Sequence, residues 1–502
     1  MGYYFISIGG SGAKVMESLT HLCAAGLLPN FEKRERLYVM SVDPDLGNGN
    51  LNRSSASLRS FVNCQDFEVG VETSLFKTPV ELASPFTWSP IEHNKKLDDV
   101  MSYQAHRKTP IGDLYETLYT QQERDQLLNE GFRGRPSIGA AVLAQKASLF
   151  SKRGWENHAE EPWRTLADRV RSEANNGQKA HIFLAGSVFG GTGAAGMPTI
   201  AHLLRQEFHE ECEAGNVLIG GVFILPYFSF SPTTAANTNG IFASSENFLM
   251  NTRAALKYYS VKDKSYDAMY FVGDEGMDKV NHFSVGAADQ KNDAHIVDLY
   301  AALAAVDFFS RESIQSGERC SYIAHADKTH FTWTDLPSIK MADGKSVEPK
   351  ECVGHFVRFI FSYLHLIQPV LNDLANGNVP EHAYPWYIDY LKTEKLDTAE
   401  IKSFTDYAIS FVNWLGQLEN TSNNRGIDLV KRTAFQVTDD PDQPVLIDAN
   451  EFDTCIVDEK SIVTIHEIWT RLAENYAGDG ADRARGFGLF LRTLYDCCYS
   501  EA

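Results

Sequence analysis

The strongest constraint on the fold of this chain is a Gly-Gly-Thr-Gly turn at residues 190–193. Residues 180–184 before it are apolar and predict a buried strand, and residues 197–208 after it have a helical pattern. Glycines in such a turn let consecutive backbone N–H groups converge on an anion, and the helix N-terminus adds roughly half a positive charge. The turn therefore favours a phosphate site, although an ordinary tight turn of an α/β domain has the same pattern.

A second unit of this kind opens the chain. Residues 3–8 predict a strand, which ends in a Gly-Gly-Ser-Gly turn at residues 9–12 and continues into a helical pattern. The next predicted strand, residues 37–42, ends at Asp43. A carboxylate at the end of a parallel strand can hold Mg²⁺ through water or bind a ribose hydroxyl, and the alternative is a simple turn carboxylate.

A third glycine-bearing loop, residues 131–139, contains Arg133 and Arg135 and leads into a helix of small residues. Arginine forks match phosphate oxygens, and the alternative is that both arginines are solvated. Residues 48–128 before this loop have little periodicity in their first half and are predicted to be an irregular insertion.

Strands and helices alternate over roughly the first 310 residues. This predicts an α/β fold, with a doubly wound, mostly parallel sheet in a nucleotide-binding domain over residues 1–290. The pattern at 292–309 is apolar all round and predicts a central buried helix, assigned to residues 291–315. Residues 316–502 predict a largely helical α+β C-terminal domain.

Composition excludes several classes of protein. The formal net charge of −20, with no dense Lys/Arg cluster, argues against nucleic-acid binding. None of the eight cysteines forms a C-x-x-C pair, so neither a zinc site nor a disulfide framework is indicated. No apolar stretch is long enough to insert into a membrane. We therefore expect a cytoplasmic protein.

The ordered set of glycine loops resembles the tubulin/FtsZ family of GTPases. That family's signature loop is Gly-Gly-Gly-Thr-Gly-Ser/Thr-Gly, and residues 189–195, Phe-Gly-Gly-Thr-Gly-Ala-Ala, stand in its place, with Phe189 at a glycine position. Residues 9–12 stand in the place of the first loop. Asp43 matches the acidic position of the second loop. Residues 136–139, Pro-Ser-Ile-Gly, are similar to the end of the third. The resemblance covers residues 1 to about 335.

The resemblance implies GTP or GDP as ligand, with Mg²⁺ near Asp43, and Asn292 as the residue that reads the guanine base. It implies nucleotide-binding roles for Gly9, Gly10, Ser11, Gly12, Lys14, Gly134, Gly190, Gly191, Thr192, Gly193 and Asn292. Lys14 replaces an Asn or Gln of the family, and a lysine there could reach a phosphate as a point charge.

The resemblance also implies head-to-tail self-association into nucleotide-dependent filaments, in which one subunit completes hydrolysis on the nucleotide of its neighbour. The family's loop for this step has the pattern Asn-x-Asp-x-x-Asp, and its nearest match here is residues 330–335. Of that pattern only the last acid, Asp335, is present, so Asp335 is the predicted catalytic residue. One carboxylate supplies less charge stabilisation than two.

Two alternatives remain open on the sequence. The first is a hydrolysis-poor, nucleotide-sensing scaffold with other protein partners in a multi-protein system, such as bacterial defence. The second is an NAD(P)-dependent oxidoreductase with the dinucleotide on residues 9–12 and its ribose on Asp43.

Overall fold

The structure of the protein is a computed structural model that describes most of the chain. The described residues are 1–28, 35–65, 75–153, 160–230, 246–261, 265–274, 278–280, 287–314, 330–340, 344–392, 398–420, 426–431, 435–436, 446–447, 449–457, 463–474 and 486–499.

Six of the described strands form one sheet, and every pairing in it is parallel. In chain order these strands are β1 (Gly2–Ile8), β2 (Leu37–Val42), β3 (Val80–Trp88), β4 (Ala180–Ser187), β5 (Val217–Ile224) and β6 (Ala268–Val272). Their order across the sheet is β3-β2-β1-β4-β5-β6. Every residue of β1, β2, β4 and β5 is buried, which explains their uninterrupted apolar character.

Helices cover both faces of this sheet. They are α1 (Gly9–Ala24), α2 (Gly49–Gln65), α3 (Pro136–Arg153), α4 (Trp163–Asn175), α5 (Thr192–Glu207), α6 (Glu246–Val261) and α7 (Ile296–Ser310). The core on one face is built from α1, α2 and α7, and the core on the other face draws on α4, α5 and α6. The predicted doubly wound α/β fold is confirmed. Shorter helices are Leu97–Val100, Tyr103–His106, Pro110–Leu118, Gln121–Asp125 and His209–Glu213.

The prediction of an irregular insertion over 48–128 is wrong in its first half. Residues Gly49–Gln65 form α2, and β3 pairs with β2 as an edge strand of the sheet. The amphipathic pattern of α2 is weak because many serines and asparagines separate its buried positions, Leu51, Leu58 and Phe61 among them. An edge strand tolerates polar residues and proline, as at Pro85, and therefore gives a poor sequence signal.

The central helix α7 is buried on nearly all sides, as predicted, but it begins at Ile296 and not at Asn292. His295 explains the later start. The ring Nδ1 of His295 accepts the backbone N–H of Val297 at 3.1 Å, and the backbone N–H of His295 donates to Asp298 Oδ2 at 2.9 Å. These two bonds form a capping arrangement that fixes the first turn.

The described residues beyond 314 are mainly helical, in agreement with the predicted character of the C-terminal region. The longer helices are α8 (350–375), α9 (Thr398–Asn420), α10 (Ile465–Glu474) and α11 (Phe487–Cys497), with a short one at Pro385–Tyr390.

Short strand pairs and 3₁₀ turns lie outside the main sheet. Short parallel pairs join His330–Phe331 to Gly426–Ile427 and Phe228–Phe230 to Asp278–Val280. Short antiparallel pairs join Ile339–Lys340 to Ser346–Val347 and Phe435–Gln436 to Leu446–Ile447. The 3₁₀ turns are Ala287–Asp289, Trp333–Asp335, Glu381–Ala383 and Ala449–Thr454.

Helix α9 packs directly on α1, which is the helix that follows β1. The ring of His21 lies 4.8 Å from the indole of Trp414, which donates its Nε1–H to Ser18 Oγ at 3.1 Å. Burial and, to a smaller extent, the positive charge of Arg53 together lower the pKa of His21 to about 3, so the imidazole is neutral and acts as an aromatic core residue. In the described part of the chain, no helix is both long and apolar enough to cross a membrane.

Candidate functional site

A cleft lies at the carboxyl ends of β1 and β4, where the chain order of the sheet reverses. In open α/β sheets this crevice is the preferred place for a ligand. The cleft contains about 1060 Å³ of empty space, part of which is open solvent. Eleven of the residues predicted from the sequence line it: Gly9, Gly10, Ser11, Lys14, Asp43, Gly134, Gly190, Gly191, Thr192, Gly193 and Asn292.

Two helix N-termini meet in this cleft. Helix α1 starts at Gly9 and α5 starts at Thr192, and a Cβ at Gly9 would lie 3.1 Å from the Cβ of Thr192. Neither helix has a side-chain hydrogen bond at its N-cap or an acidic residue in its first turn. Two helix dipoles and their backbone N–H donors are thus directed at one place, which suits an anion carrying several negative charges.

The third glycine loop packs against the start of α5. A Cβ at Gly191 would lie 2.9 Å from the Cβ of Phe132 and 3.2 Å from the backbone nitrogen of Gly134. Gly134 has a φ of +70°, a conformation that favours glycine. Arg133, also in the cleft, forms an ion pair with Glu130, whereas Arg135 is not among the residues that line it.

Gly12 and Asp335 do not line the cleft. A Cβ at Gly12 would lie 2.4 Å from the carbonyl oxygen of Ala185, so this glycine allows α1 to pack closely on the sheet. Asp335 lies in the turn Trp333–Asp335, where its Oδ2 accepts the N–H of Thr332 at 2.8 Å. Its own carbonyl oxygen accepts the hydroxyl of Tyr300 at 2.7 Å, and the residue is buried.

Lys14 is engaged with protein groups in the floor of the cleft. Its Nζ lies 2.9 Å from Asp298 Oδ2 and donates to the hydroxyl of Tyr227 at 2.8 Å. The Tyr227 hydroxyl in turn donates to Asp298 Oδ1 at 3.3 Å. Burial alone would lower the pKa of Lys14, but the electrostatic attraction of Asp298 and Tyr227 and the hydrogen bonds to both together outweigh it, so the pKa lies above its usual value and the side chain is charged. The sequence predicts that the positive charge of Lys14 could reach a phosphate. In the structure Asp298 already neutralises that charge.

Asp43 lies directly after β2 and is buried. Its Oδ1 accepts the N–H of Asp45 at 3.0 Å. Burial and, to a smaller extent, the negative charge of Asp45 together raise the pKa of Asp43 to about 8, against the lowering effect of that N–H. A buried carboxyl with this pKa carries a proton at neutral pH when no cation is bound. Binding of a cation would displace that proton.

The sequence matches the family model described as "Tubulin like" over residues 4–272, which is more than half of the chain. The chain belongs to the tubulin-like family. Among solved structures, CetZ from Methanosaeta thermophila strain DSM 6194 is similar, with 14% sequence identity and a TM-score of 0.25. That match covers 60% of this chain and 52% of CetZ, so it spans about half the length of that protein. No curated protein matches the sequence.

The cleft of this tubulin-like chain includes polar residues that the sequence prediction missed. Asn48 accepts the N–H groups of Asn50 and Leu51 through its Oδ1 and donates its amide to Gln290 Oε1 at 3.0 Å. Asn50 Oδ1 accepts the N–H of Asn292 at 2.8 Å, which holds the predicted base-reading residue at the start of α2. The sequence signal for Asn48 and Asn50 is the set of Asp and Asn residues spaced through 43–50, directly after a predicted strand.

Phe189, which stands at a glycine position of the tubulin-like signature loop, is buried in an aromatic cluster. Its ring lies 4.6 Å from Phe248 and 5.7 Å from Phe228, and both of these residues line the cleft. Asn251 donates its amide to the carbonyl oxygen of Phe189 at 3.2 Å. The substitution therefore gives the cleft an aromatic wall behind the glycine turn.

The residues present are compatible with Mg²⁺ held together with phosphates. Within the described residues, no three His, Cys, Asp or Glu side chains form a metal-binding group. Mg²⁺ commonly uses one or two carboxylates, completing its shell with water and phosphate oxygens. Asp43 and Asp45 both line the cleft and provide two carboxylates of this kind.

Proposed function

We propose that this tubulin-like chain binds GTP or GDP with Mg²⁺ in the cleft. The observation that carries the proposal is the meeting of two uncapped helix N-termini beneath three glycine loops. In this assignment the turn at 190–193 and the first turn of α1 bind the phosphates, and Asp43 and Asp45 hold the cation. Asn292 lies at the base end, and the aromatic wall of Phe189, Phe228 and Phe248 lies behind the phosphate-binding turn.

Isothermal titration of the full chain with GTP, GDP, ATP and NAD⁺, with and without Mg²⁺, tests this function. We expect micromolar affinity for GTP and GDP, tighter with Mg²⁺, and no binding of NAD⁺. Preferential binding of NAD⁺ would support the oxidoreductase alternative, and no binding of any of the four would refute the proposal.

We further propose that the chain self-associates head to tail when nucleotide is bound. A heterologous interface that does not close generates filaments. Copies that each carry a formal net charge of −20 repel one another, so assembly should become easier as salt screens that charge. Light scattering with GTP, repeated at increasing ionic strength, measures both effects, and scattering that ignores GTP would contradict filament formation.

Hydrolysis completed by Asp335 on a neighbour's nucleotide stays a proposal of its own. It requires the Asp335 carboxylate to leave the N–H of Thr332 and become exposed at the interface. If this does not occur, a nucleotide-sensing scaffold with slow hydrolysis is the alternative. The assignment of residues 1–290, 291–315 and 316–502 to two domains and a connecting helix is likewise a proposal.

A further inference from the structure

Two helices of the described chain carry most of its exposed apolar side chains. One is the helix Pro110–Leu118, called the acidic helix below, and the other is α6. Of the twelve large apolar side chains that are exposed in the described residues, eight lie on these two helices. Single exposed apolar residues are ordinary, but a concentration of this kind is typical of a surface that another molecule covers.

The acidic helix presents a row of apolar side chains to solvent. Ile111, Leu114 and Leu118 have the spacing of one helix face, and each is between 59% and 64% exposed. The inward side of the helix is fixed by Tyr115, which is buried and donates its hydroxyl to Asp98 Oδ1 at 2.9 Å. Because Tyr115 holds the helix in this rotation, the apolar row stays on the surface.

Helix α6 presents apolar and basic side chains together. Leu249, Met250 and Val261 are each between 65% and 69% exposed. Arg253 and Lys257 are also exposed and follow Leu249 by one and two turns of the helix. The buried side chains of α6 lie on its opposite face and belong to the cores that cover the sheet. The outer face of α6 is therefore apolar and positively charged.

The charges of the two helices are complementary. The acidic helix carries Asp113 and Glu116 and no basic residue, whereas the described side chains of α6 include two basic residues and no acidic one. Copies with a formal net charge of −20 repel one another. Residues 89–135, which contain the acidic helix, hold eight acidic and seven basic residues and are nearly neutral. This segment and the basic face of α6 are thus places where two copies can approach with little repulsion.

We propose that the acidic helix of one copy packs on α6 of a second copy. The apolar row covers the exposed apolar side chains of α6, and Asp113 lies near Arg253 and Lys257. The contact uses neither the glycine turns nor the turn Trp333–Asp335, so it is separate from the proposed head-to-tail contact and needs no nucleotide. Because the acidic helix has nine residues, the contact is small, and we expect a dissociation constant of about 10–100 μM.

Sedimentation of the full chain without nucleotide or Mg²⁺, over a concentration series that spans this range, tests the contact. We expect the average mass to rise with concentration. Leu114→Gln and Leu249→Gln should each lower the association constant about tenfold, because each removes one apolar side chain from the contact. Leu46→Gln is the matched control, since Leu46 is 57% exposed but lies on neither helix and does not line the cleft.

Charge reversal identifies the two surfaces that meet. Asp113→Lys and Lys257→Glu should each weaken association about tenfold. An equimolar mixture of these two variants should associate more strongly than either alone, because every contact between unlike copies then joins opposite charges. A mixture that associates no better than its components would overturn the inference.

Three further results would also overturn it. These are a chain that stays monomeric at every concentration, equal association of the Leu46 and Leu114 variants, and association that appears only with GTP, which would assign it to the head-to-tail contact. Since the measurement contains no nucleotide, each of these results leaves the proposed binding of GTP or GDP to be judged by its own titration.

Discussion

The cleft at the ends of β1 and β4 and the turn Trp333–Asp335 use their polar groups in opposite ways. In the cleft, two helix starts present backbone donors without side-chain caps. In the turn, the carboxylate of Asp335 accepts a backbone N–H three residues earlier. The first region has donors that a ligand can satisfy, and the second has already satisfied its own. A side chain that matches a motif position is therefore not necessarily available for chemistry.

The largest effect on stability is expected at the ion pair of Lys14 and Asp298 in the floor of the cleft. Lys14→Met should lower the free energy of unfolding by about 3–5 kcal/mol, because it leaves the buried Asp298 without its cation. Urea denaturation measures this loss. The exposed pair of Lys402 and Asp406 gives the control, since Lys402→Met should cost at most about 0.5 kcal/mol. If the double variant Lys14→Met/Asp298→Leu is no more stable than Lys14→Met, the unpaired carboxylate is not the cause.

Gly193→Ala should distort the glycine turn of the cleft without affecting the turn Trp333–Asp335. Its Cβ would lie 2.6 Å from the carbonyl oxygen of Ser187 and 2.7 Å from its nitrogen, so the backbone of the glycine turn has to move. We expect a loss of about 1–3 kcal/mol in stability and at least a tenfold loss in GTP affinity by titration. In Gly354→Ala the Cβ meets only ordinary contacts, and that control should keep its GTP affinity. Comparable losses in both variants would contradict a local effect.

The pH dependence of Mg²⁺ binding sharpens the contrast between Asp43 and Asp335. The pKa of Asp43 in the folded chain is about 8, above its ordinary value, so folding retains a proton that the unfolded chain releases near pH 4. Stability without Mg²⁺ should therefore fall as the pH rises from about 4 to about 8. Below pH 8, Mg²⁺ must displace that proton, and its affinity in the presence of GDP should rise about tenfold per pH unit.

Calorimetry of Mg²⁺ binding at several pH values measures this slope. Asp43→Asn should flatten both the slope and the fall in stability, because no proton is then exchanged at that position. A slope that survives in Asp43→Asn would place the titrating group elsewhere.

The smallest effect on stability is expected in the turn Trp333–Asp335. Asp335→Ala removes the acceptor of the Thr332 N–H and should lower stability by about 1 kcal/mol, as measured by thermal denaturation. Thr334→Ala, in the same turn and exposed, is the control. If the two variants have the same melting temperature, the carboxylate of Asp335 contributes nothing to the stability of its own turn.

The sequence predicted the parallel sheet and most of the cleft because both depend on local patterns. Uninterrupted apolar runs mark strands buried on two faces, and a glycine turn after such a strand marks the edge where ligands bind. The pairing of Lys14 with Asp298 could not be predicted in this way, since the two residues meet only through packing of α1 against α7. The availability of Asp335 depends likewise on its hydrogen bond, which no motif encodes.

The contact of α9 with α1 has a consequence for how the protein can be divided experimentally. A shortened chain that stops before residue 398 would leave His21 of α1 and Phe61 of α2 without the aromatic side chains of Trp414 and Tyr407 that pack against them. Contiguous apolar surface of this kind causes aggregation. The N-terminal half and the C-terminal helices should therefore be produced as one polypeptide, or mixed as two fragments that refold together.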